Sequence, residues 1–114
     1  MSARADRRIT LTQKLTTAEL QERINSGAPL LIDFYADWCG PCKAVAPALE
    51  KLSQERQDLT VVSVDVDAEQ RAAAQFMVRS IPTLVLLKDG QALGVKVGAL
   101  SLDQLRNWVQ ATLS

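Results

Sequence analysis

The sequence predicts a single α/β domain, in which a central mixed sheet of about five strands is flanked by about four helices. Three observations support this prediction. Apolar runs of strand length alternate with amphipathic segments of helix length, and short connectors join them. An Asp-Gly pair at residues 89–90 separates two strand-like runs and is typical of a tight hairpin. The 114 residues are enough for one domain with a buried core.

The first elements are a short edge strand and a capped helix. The run Ile9–Leu11 is predicted to form the edge strand. Thr16 and Glu19 have the spacing of a capping box, which predicts that a helix begins at this point. The sequence Asn-Ser-Gly at residues 25–27 is predicted to end that helix.

A buried strand and a long helix follow. Residues 30–36 are almost continuously apolar, which is typical of a central strand covered on both faces. The next helix is predicted from about Pro41 to Arg56, with a kink at Pro47, which lacks a backbone N–H. Its buried stripe is predicted to contain Val45, Leu49 and Leu52.

The second half of the chain begins with another strand and a short helix. The strand is predicted at Leu59–Val66. Asp67 is predicted to cap an alanine-rich helix, with Gln70 at its third position. Residues 82–87 form a further apolar run that predicts a buried strand.

The last elements are a hairpin and a capped helix. The Asp-Gly turn leads into a strand at Ala92–Val97, and Ser101 with Gln104 forms a capping box for the final helix. That helix is predicted to bury Leu102, Leu105 and Val109. The element order is therefore βαβαβαββα. The early βαβ units require parallel pairing, and the hairpin adds an antiparallel edge.

Composition excludes several classes of function. The 13 basic and 13 acidic residues balance, so no basic excess indicates a nucleic-acid partner. Histidine is absent, which excludes a Cys–His nucleophile and imidazole metal ligands. The first eight residues contain three arginines, and no apolar stretch typical of a secretory signal follows them. We therefore expect a cytoplasmic protein with a flexible arm at residues 1–8 and a single domain at residues 9–114.

Both cysteines lie in one motif, at positions 39 and 42, directly after the predicted central strand. Pro41 between them can open a helix, and the unpaired N–H groups at a helix N-terminus favour a thiolate. This arrangement favours a reversible redox pair, with Cys39 as the nucleophile because it lies at the helix start. Cys42, about one turn further in, is expected to be less accessible. The alternative is a static bridge or half of a metal site.

Asp33 is the second candidate site residue. It lies inside the apolar run and shares a strand face with Leu31 and Tyr35. A carboxylate buried there without partners has a raised pKa and can exchange a proton near neutral pH. The alternative is an aspartate that faces water at the strand end.

Three segments, in the same order, resemble those of the thioredoxin family, and the resemblance covers nearly the whole chain. They are residues 33–43 (DFYADWCGPCK), 79–83 (RSIPT) and 96–100 (KVGAL). The resemblance implies the thioredoxin fold and a cis peptide bond before Pro82, although the sequence alone favours trans. The chain departs from the family pattern at Tyr35 (usually tryptophan), Ser63 (often lysine) and Ser80 (commonly glycine).

The resemblance implies roles for the site residues. Cys39 is the nucleophile, Cys42 the resolving cysteine and Asp33 the proton acceptor, while Gly40 and Pro41 tune the redox balance. The residues expected to contact substrate are Trp38, Ile81, Pro82, Val97 and Gly98. For Ile81 and Val97, packing into the core is the alternative.

The implied function is the reduction of protein disulfides by dithiol–disulfide exchange, and a flavin-dependent thioredoxin reductase recharges the dithiol. We expect no bound cofactor, no metal, no nucleic acid and no membrane partner, and we expect a monomer. Two alternatives remain open. One is a non-catalytic binding subunit with the same fold, and the other is a disulfide oxidase or isomerase.

Overall fold

The computed structural model describes residues 12–114. The predicted strand at Ile9–Leu11 and the predicted arm at residues 1–8 lie outside the described residues. The strands are β1 Gln13–Lys14, β2 Leu30–Tyr35, β3 Thr60–Asp65, β4 Thr83–Lys88 and β5 Gln91–Val97. The helices are α1 Thr17–Asn25, α2 Gly40–Glu55, α3 Gln70–Gln75 and α4 Leu102–Leu113. The predicted element order is confirmed for this part of the chain.

The strands form one five-stranded mixed sheet in the order β1-β3-β2-β4-β5. Strands β1 and β2 both run parallel to β3, as the βαβ connections require. Strand β4 is antiparallel to β2, and β5 is antiparallel to β4. The antiparallel part of the sheet is therefore larger than the hairpin edge predicted from sequence, because β4 enters the sheet from the end where β2 and β3 finish.

Helices cover both faces of the sheet. On one face, α1 and α3 pack against Ile32 and Phe34 of β2 and their neighbours. On the other face, α2 and α4 pack against Leu31 and the alternate residues of β3 and β4. The predicted stripe of α2 is confirmed, since its three apolar residues are fully buried in this second cluster: Val45, Leu49 and Leu52.

The local signals at two helix starts and one turn are confirmed. Thr16 and Ser101 each accept a hydrogen bond from the backbone N–H three residues later, and the side chain at that position bonds back to the cap. Asp89 and Gly90 have φ values of 54° and 76°, which the predicted hairpin turn requires. Pro47 lies inside α2, as predicted.

The predicted cap of α3 is wrong. The N-cap residue of α3 is Glu69, and its side chain makes no capping bond. The Asp67 carboxylate instead accepts a hydrogen bond of 2.8 Å from the indole Nε1 of Trp38. The Asp67 backbone N–H donates to the Asp65 carboxylate in the turn that follows β3. A long-range partner therefore takes the side chain that the local pattern assigned to the helix.

Candidate redox site

The site is built at the carboxyl end of β2, where the chain turns into α2. Cys39 is the N-cap residue of α2, with an extended backbone, and Pro41 lies in the first turn. The Cys39 sulfur accepts a hydrogen bond of 3.1 Å from the backbone N–H of Cys42. The sulfur thus takes the position that a serine or aspartate oxygen occupies in an ordinary cap. The N–H groups at the positive end of the helix dipole therefore face this sulfur.

The two cysteines form a disulfide within the first turn of α2, with their Cα atoms 5.3 Å apart. The expectation that Cys42 is less accessible than Cys39 is wrong for this oxidised state. Both residues are 4% exposed, because the bridge packs both sulfurs against Ala36 and the half-buried Ile81. In this state, helix position and hydrogen bonding distinguish the cysteines, and burial does not.

Asp33 lies on β2 and is 4% exposed, so the water-facing alternative is excluded. Its Oδ1 atom is buried and has no hydrogen-bond partner among the described residues. Burial raises the pKa of this carboxyl from 3.8 to about 7. Asp33 and Cys42 line the same cavity.

This cavity has a volume of about 230 Å³ and lies between β1, β3, β2 and α2. Its wall includes Thr12, Lys14, Ser63 and Glu50. The resemblance singled out only Ser63 among them, as a departure from the family pattern, and the other three were not predicted to lie at the site. The signal available for β1 was weak, since this strand contains only two residues and no apolar alternation. The pairing of β1 with β3 at Ser63 was therefore not predictable from the sequence pattern.

Tyr35 is half-buried and lines the same cavity. Lys14 places its Nζ 5.6 Å from the centre of the tyrosine ring, a cation–π arrangement. Burial raises the pKa of Tyr35, and the neighbouring Lys14 opposes that shift. Asp65 and Asp37 raise it further, so this end of β2 contains charges of both signs.

The residues predicted to contact substrate lie around the disulfide. Trp38 is 71% exposed and Val97 is 61% exposed, so the core-packing alternative for Val97 is excluded. Ile81 packs against the cysteines, and the Ile81–Pro82 peptide bond is cis, as the resemblance implied. Gly98 donates its N–H to the Pro82 carbonyl at 2.8 Å, which brings the second and third segments together.

The family model described as Thioredoxin matches residues 11–111. The chain belongs to the thioredoxin family. Among curated relatives, the thioredoxin of Haemophilus influenzae is 49% identical over 87 residues, which cover 75% of this chain and 81% of that protein. The thioredoxin of Mycobacterium tuberculosis is 51% identical over 90 residues, which cover 77% of this chain and 78% of the relative.

Solved structures of the thioredoxin family have the same fold. The N21Q mutant thioredoxin from Halobacterium salinarum superposes with a TM-score of 0.84 at 34% identity, over 91% of this chain and 92% of that chain. Oxidised mitochondrial thioredoxin 3 from Saccharomyces cerevisiae gives a TM-score of 0.81 at 40% identity, over 88% and 94% of the two chains.

The established activity follows from the family and from the cysteine pair. The protein is a thiol–disulfide oxidoreductase that reduces protein disulfides by dithiol–disulfide exchange through Cys39 and Cys42. Its partners are disulfide-containing proteins and a reductase that restores the dithiol. Within residues 12–114, no helix combines the length and the apolar character needed to span a bilayer.

Proposed function

We propose that Cys39 is the nucleophile of this exchange and that Cys42 is the resolving cysteine. The observation that carries the proposal is the capping geometry, in which the Cys39 sulfur accepts the Cys42 N–H at the mouth of α2. An anion is more stable at this position than a neutral thiol, because the terminal N–H groups and the helix dipole stabilise it. Cys42 lies inside the first turn and lacks this advantage.

The reaction then has two exchanges. The Cys39 thiolate attacks one sulfur of the substrate disulfide, forming a mixed disulfide and releasing the other substrate sulfur as a thiolate. Cys42 loses its proton and attacks Cys39, so that the Cys39–Cys42 bond forms and the bond from Cys39 to the substrate breaks. The two electrons of the dithiol have passed to the substrate, which leaves as two thiols. Reduction of the Cys39–Cys42 bridge by a flavin-dependent thioredoxin reductase closes the cycle.

Asp33 is proposed to accept the proton of Cys42. Its supports are its burial, its place on the wall of the cavity that Cys42 also lines, and the absence of a described partner on Oδ1. With a pKa raised to about 7, the carboxyl takes up and releases a proton across the neutral range. Its ionised form is available as a base when Cys42 must become a thiolate.

The surface around the disulfide is proposed to bind an extended substrate segment. Trp38 and Val97 supply exposed apolar area for this contact. Apolar contact of this kind, combined with backbone hydrogen bonds, accepts many sequences. The proposed contact residues are Trp38, Ile81, Pro82, Val97 and Gly98.

Gly40 and Pro41 are proposed to tune the balance between dithiol and disulfide, because they set the geometry of the helix start between the sulfurs. We also propose that the protein acts as a monomer in the cytoplasm. A cytoplasmic thiol pool is reducing and keeps such dithiols ready for use. Gel filtration of the reduced protein tests the monomer.

Trapping of the mixed disulfide tests the assignment of the two cysteines. Cys42→Ser is expected to accumulate a covalent complex with insulin, because the complex forms through Cys39 and cannot be resolved. Cys39→Ser is the matched control and is expected to form none. Dithiothreitol should release the complex. Trapping by Cys39→Ser in place of Cys42→Ser would reverse the assignment.

A further inference from the structure

We propose that the hydroxyl groups of Ser63 and Thr12 form a hydrogen-bonded pair that serves Asp33 in both of its protonation states. This inference rests on the proposed role of Asp33 as the proton acceptor. Ser63 and Thr12 are positioning residues in this account, since they contact neither the sulfurs nor the substrate. They act by stabilising the carboxylate that must be present when Cys42 attacks.

The register of the sheet brings the three side chains to one place. Ser63 on β3 is directly opposite Asp33 on β2, and Lys14 on β1 is directly opposite Ser63. Side chains in register on neighbouring strands point to the same face, and the strands are about 4.8 Å apart. Thr12 lies two residues before Lys14 and so points to that face as well.

The hydroxyl pair is formed in the structure. Thr12 Oγ1 and Ser63 Oγ are 2.6 Å apart, and either oxygen can be the donor. Ser63 is only 5% exposed, so its hydroxyl is held beside Asp33 inside the protein. Asp33 Oδ1, on the same cavity, has no partner among the described residues. The cavity, at about 230 Å³, has room for a water molecule between the polar groups of Ser63 and Asp33, and we infer that such a water joins them.

The hydrogen bonds that run from Thr12 through Ser63 toward Asp33 can point in either direction, and the two directions match the two protonation states of Asp33. When Asp33 is ionised, Thr12 donates to Ser63, and Ser63 donates toward the carboxylate. When Asp33 carries the proton taken from Cys42, it donates toward Ser63, and Ser63 donates to Thr12. A hydroxyl both donates and accepts, so the same pair serves each state of Asp33 without movement of the backbone.

Other charged groups face the same cavity. Lys14 comes from β1, Lys43 and Glu50 come from α2, and Tyr35 and Asp37 lie at the end of β2. Lys14, Lys43 and Asp37 are exposed, so water screens their effect on Asp33. Glu50 is partly buried and is therefore the group whose replacement best tests whether the effect belongs to the hydroxyl pair.

The test is the pH profile of the resolving step, followed with the reduced protein and 5,5′-dithiobis(2-nitrobenzoate). Attack by Cys39 releases the first thionitrobenzoate anion, and attack by Cys42 releases the second, so the two steps appear as separate phases. Ser63→Ala is expected to slow the second phase about tenfold near pH 6, because a hydrogen bond to a charged group is lost. The first phase should be unchanged.

Matched variants separate this effect from a general loss of structure. Ser63→Thr retains the hydroxyl and should restore the second phase, and Thr12→Val should slow it by a smaller factor. Glu50→Gln and Thr60→Val, the latter at an exposed position on β3, should remain within about twofold of the parent. The curves of Ser63→Ala and the parent should converge above about pH 9, where the Cys42 thiol ionises without a base.

Two results would overturn the proposal, and only the second would also exclude Asp33 as the proton acceptor. If Asp33→Asn slows the second phase while Ser63→Ala and Thr12→Val leave it unchanged, only the hydroxyl pair is excluded. If Asp33→Asn itself leaves the second phase unchanged at every pH, Asp33 is not the proton acceptor and both proposals fail.

Discussion

The two ends of the sheet differ in how closely they follow the rules of local stability. At the hairpin end, Asp89 and Gly90 adopt the positive φ values of their turn. The Asp89 N–H bonds to the Gly27 carbonyl at 2.8 Å, and Gly27 ends α1 with a φ of 80°. Each of these positions has a residue suited to its backbone conformation.

At the cysteine end, the same rules are broken repeatedly. Helix α2 is capped by a sulfur, and Glu69 of α3 gives no side-chain cap. Asp33 buries a carboxyl oxygen without a described partner. Departures of this kind collect where a protein carries out chemistry, because a reactive group is one whose interactions are incomplete. Stability is therefore supplied at the hairpin end of the sheet and reactivity at the cysteine end.

The largest expected effect comes from removing the buried carboxyl. In the oxidised parent, the pKa of Asp33 is about 7 in the folded state and 3.8 as an ordinary value. Below about pH 3, the carboxyl is protonated in both the folded and the unfolded protein, and its ionisation has no effect on stability. As the pH rises toward 7, the unfolded state ionises first, so stability is lost. The free energy of unfolding of Asp33→Ala, relative to that of the parent, should therefore rise by about 4 kcal/mol as the pH increases from 4 to 8.

Urea denaturation across this pH range measures the difference. Asp37→Ala, at an exposed position just beyond the same strand, is the control, and its stability should run parallel to that of the parent. A parent whose stability did not fall between pH 4 and pH 8 would show that Asp33 is not held in an unfavourable site. The cysteine end of the sheet would then lack its clearest example of a group held at a cost in stability.

A smaller effect is expected at the hairpin end. Gly90→Ala should lower the free energy of unfolding by about 1–2 kcal/mol, because an L side chain is strained at its φ of 76°. A Cβ there would be 3.8 Å from its nearest neighbour, the Ile24 carbonyl, so a clash does not add to this cost. Gly90→Asn should lose less, since asparagine tolerates this conformation.

Insulin reduction by Gly90→Ala should match the parent at a temperature where both are folded. Slower reduction by this variant would show that the two ends are coupled, contrary to the division described above.

The smallest effect is expected at Met77, which is 79% exposed and has a φ of 53°. Met77→Gly should raise the free energy of unfolding by about 0.5 kcal/mol. The relief of backbone strain is larger than the cost of the added conformational freedom that glycine gives the unfolded chain. Ala74→Gly, at an exposed position in the preceding helix, should instead lose about 1 kcal/mol. Thermal unfolding of the two variants side by side compares them. A loss in both variants would mean that Met77 makes stabilising contacts that outweigh its strain.

Features with local causes were predictable from sequence. The capping boxes at Thr16 and Ser101 and the turn at Asp89–Gly90 each depend on residues within four positions of one another. The cysteine motif and Asp33 were also found, because a pair of thiols and a carboxylate in an apolar run are conspicuous. The mixed sheet flanked by helices followed from the alternation of apolar runs with amphipathic segments.

Features with distant causes were not predictable in this way. The Asp67 carboxylate bonds to Trp38 and does not cap α3, and Trp38 is 29 residues away in the sequence, so the local pattern does not reveal this partner. Thr12 and Ser63 meet across 51 residues and through a strand of two residues, which no periodicity indicates. The equal burial of the two cysteines depends on the packing of Ile81 against the closed bridge. Only the assembled sheet brings these groups together.

The reactivity of this protein depends on the activation of Cys39 by its place at the start of α2. The rate of alkylation by iodoacetamide as a function of pH, measured for Cys39 in the reduced Cys42→Ser variant, reports this activation. We expect a midpoint at least about one pH unit below that of a free cysteine, whose pKa is about 8.5. A midpoint at or above that of a free cysteine, or no reaction in the folded protein, would contradict it.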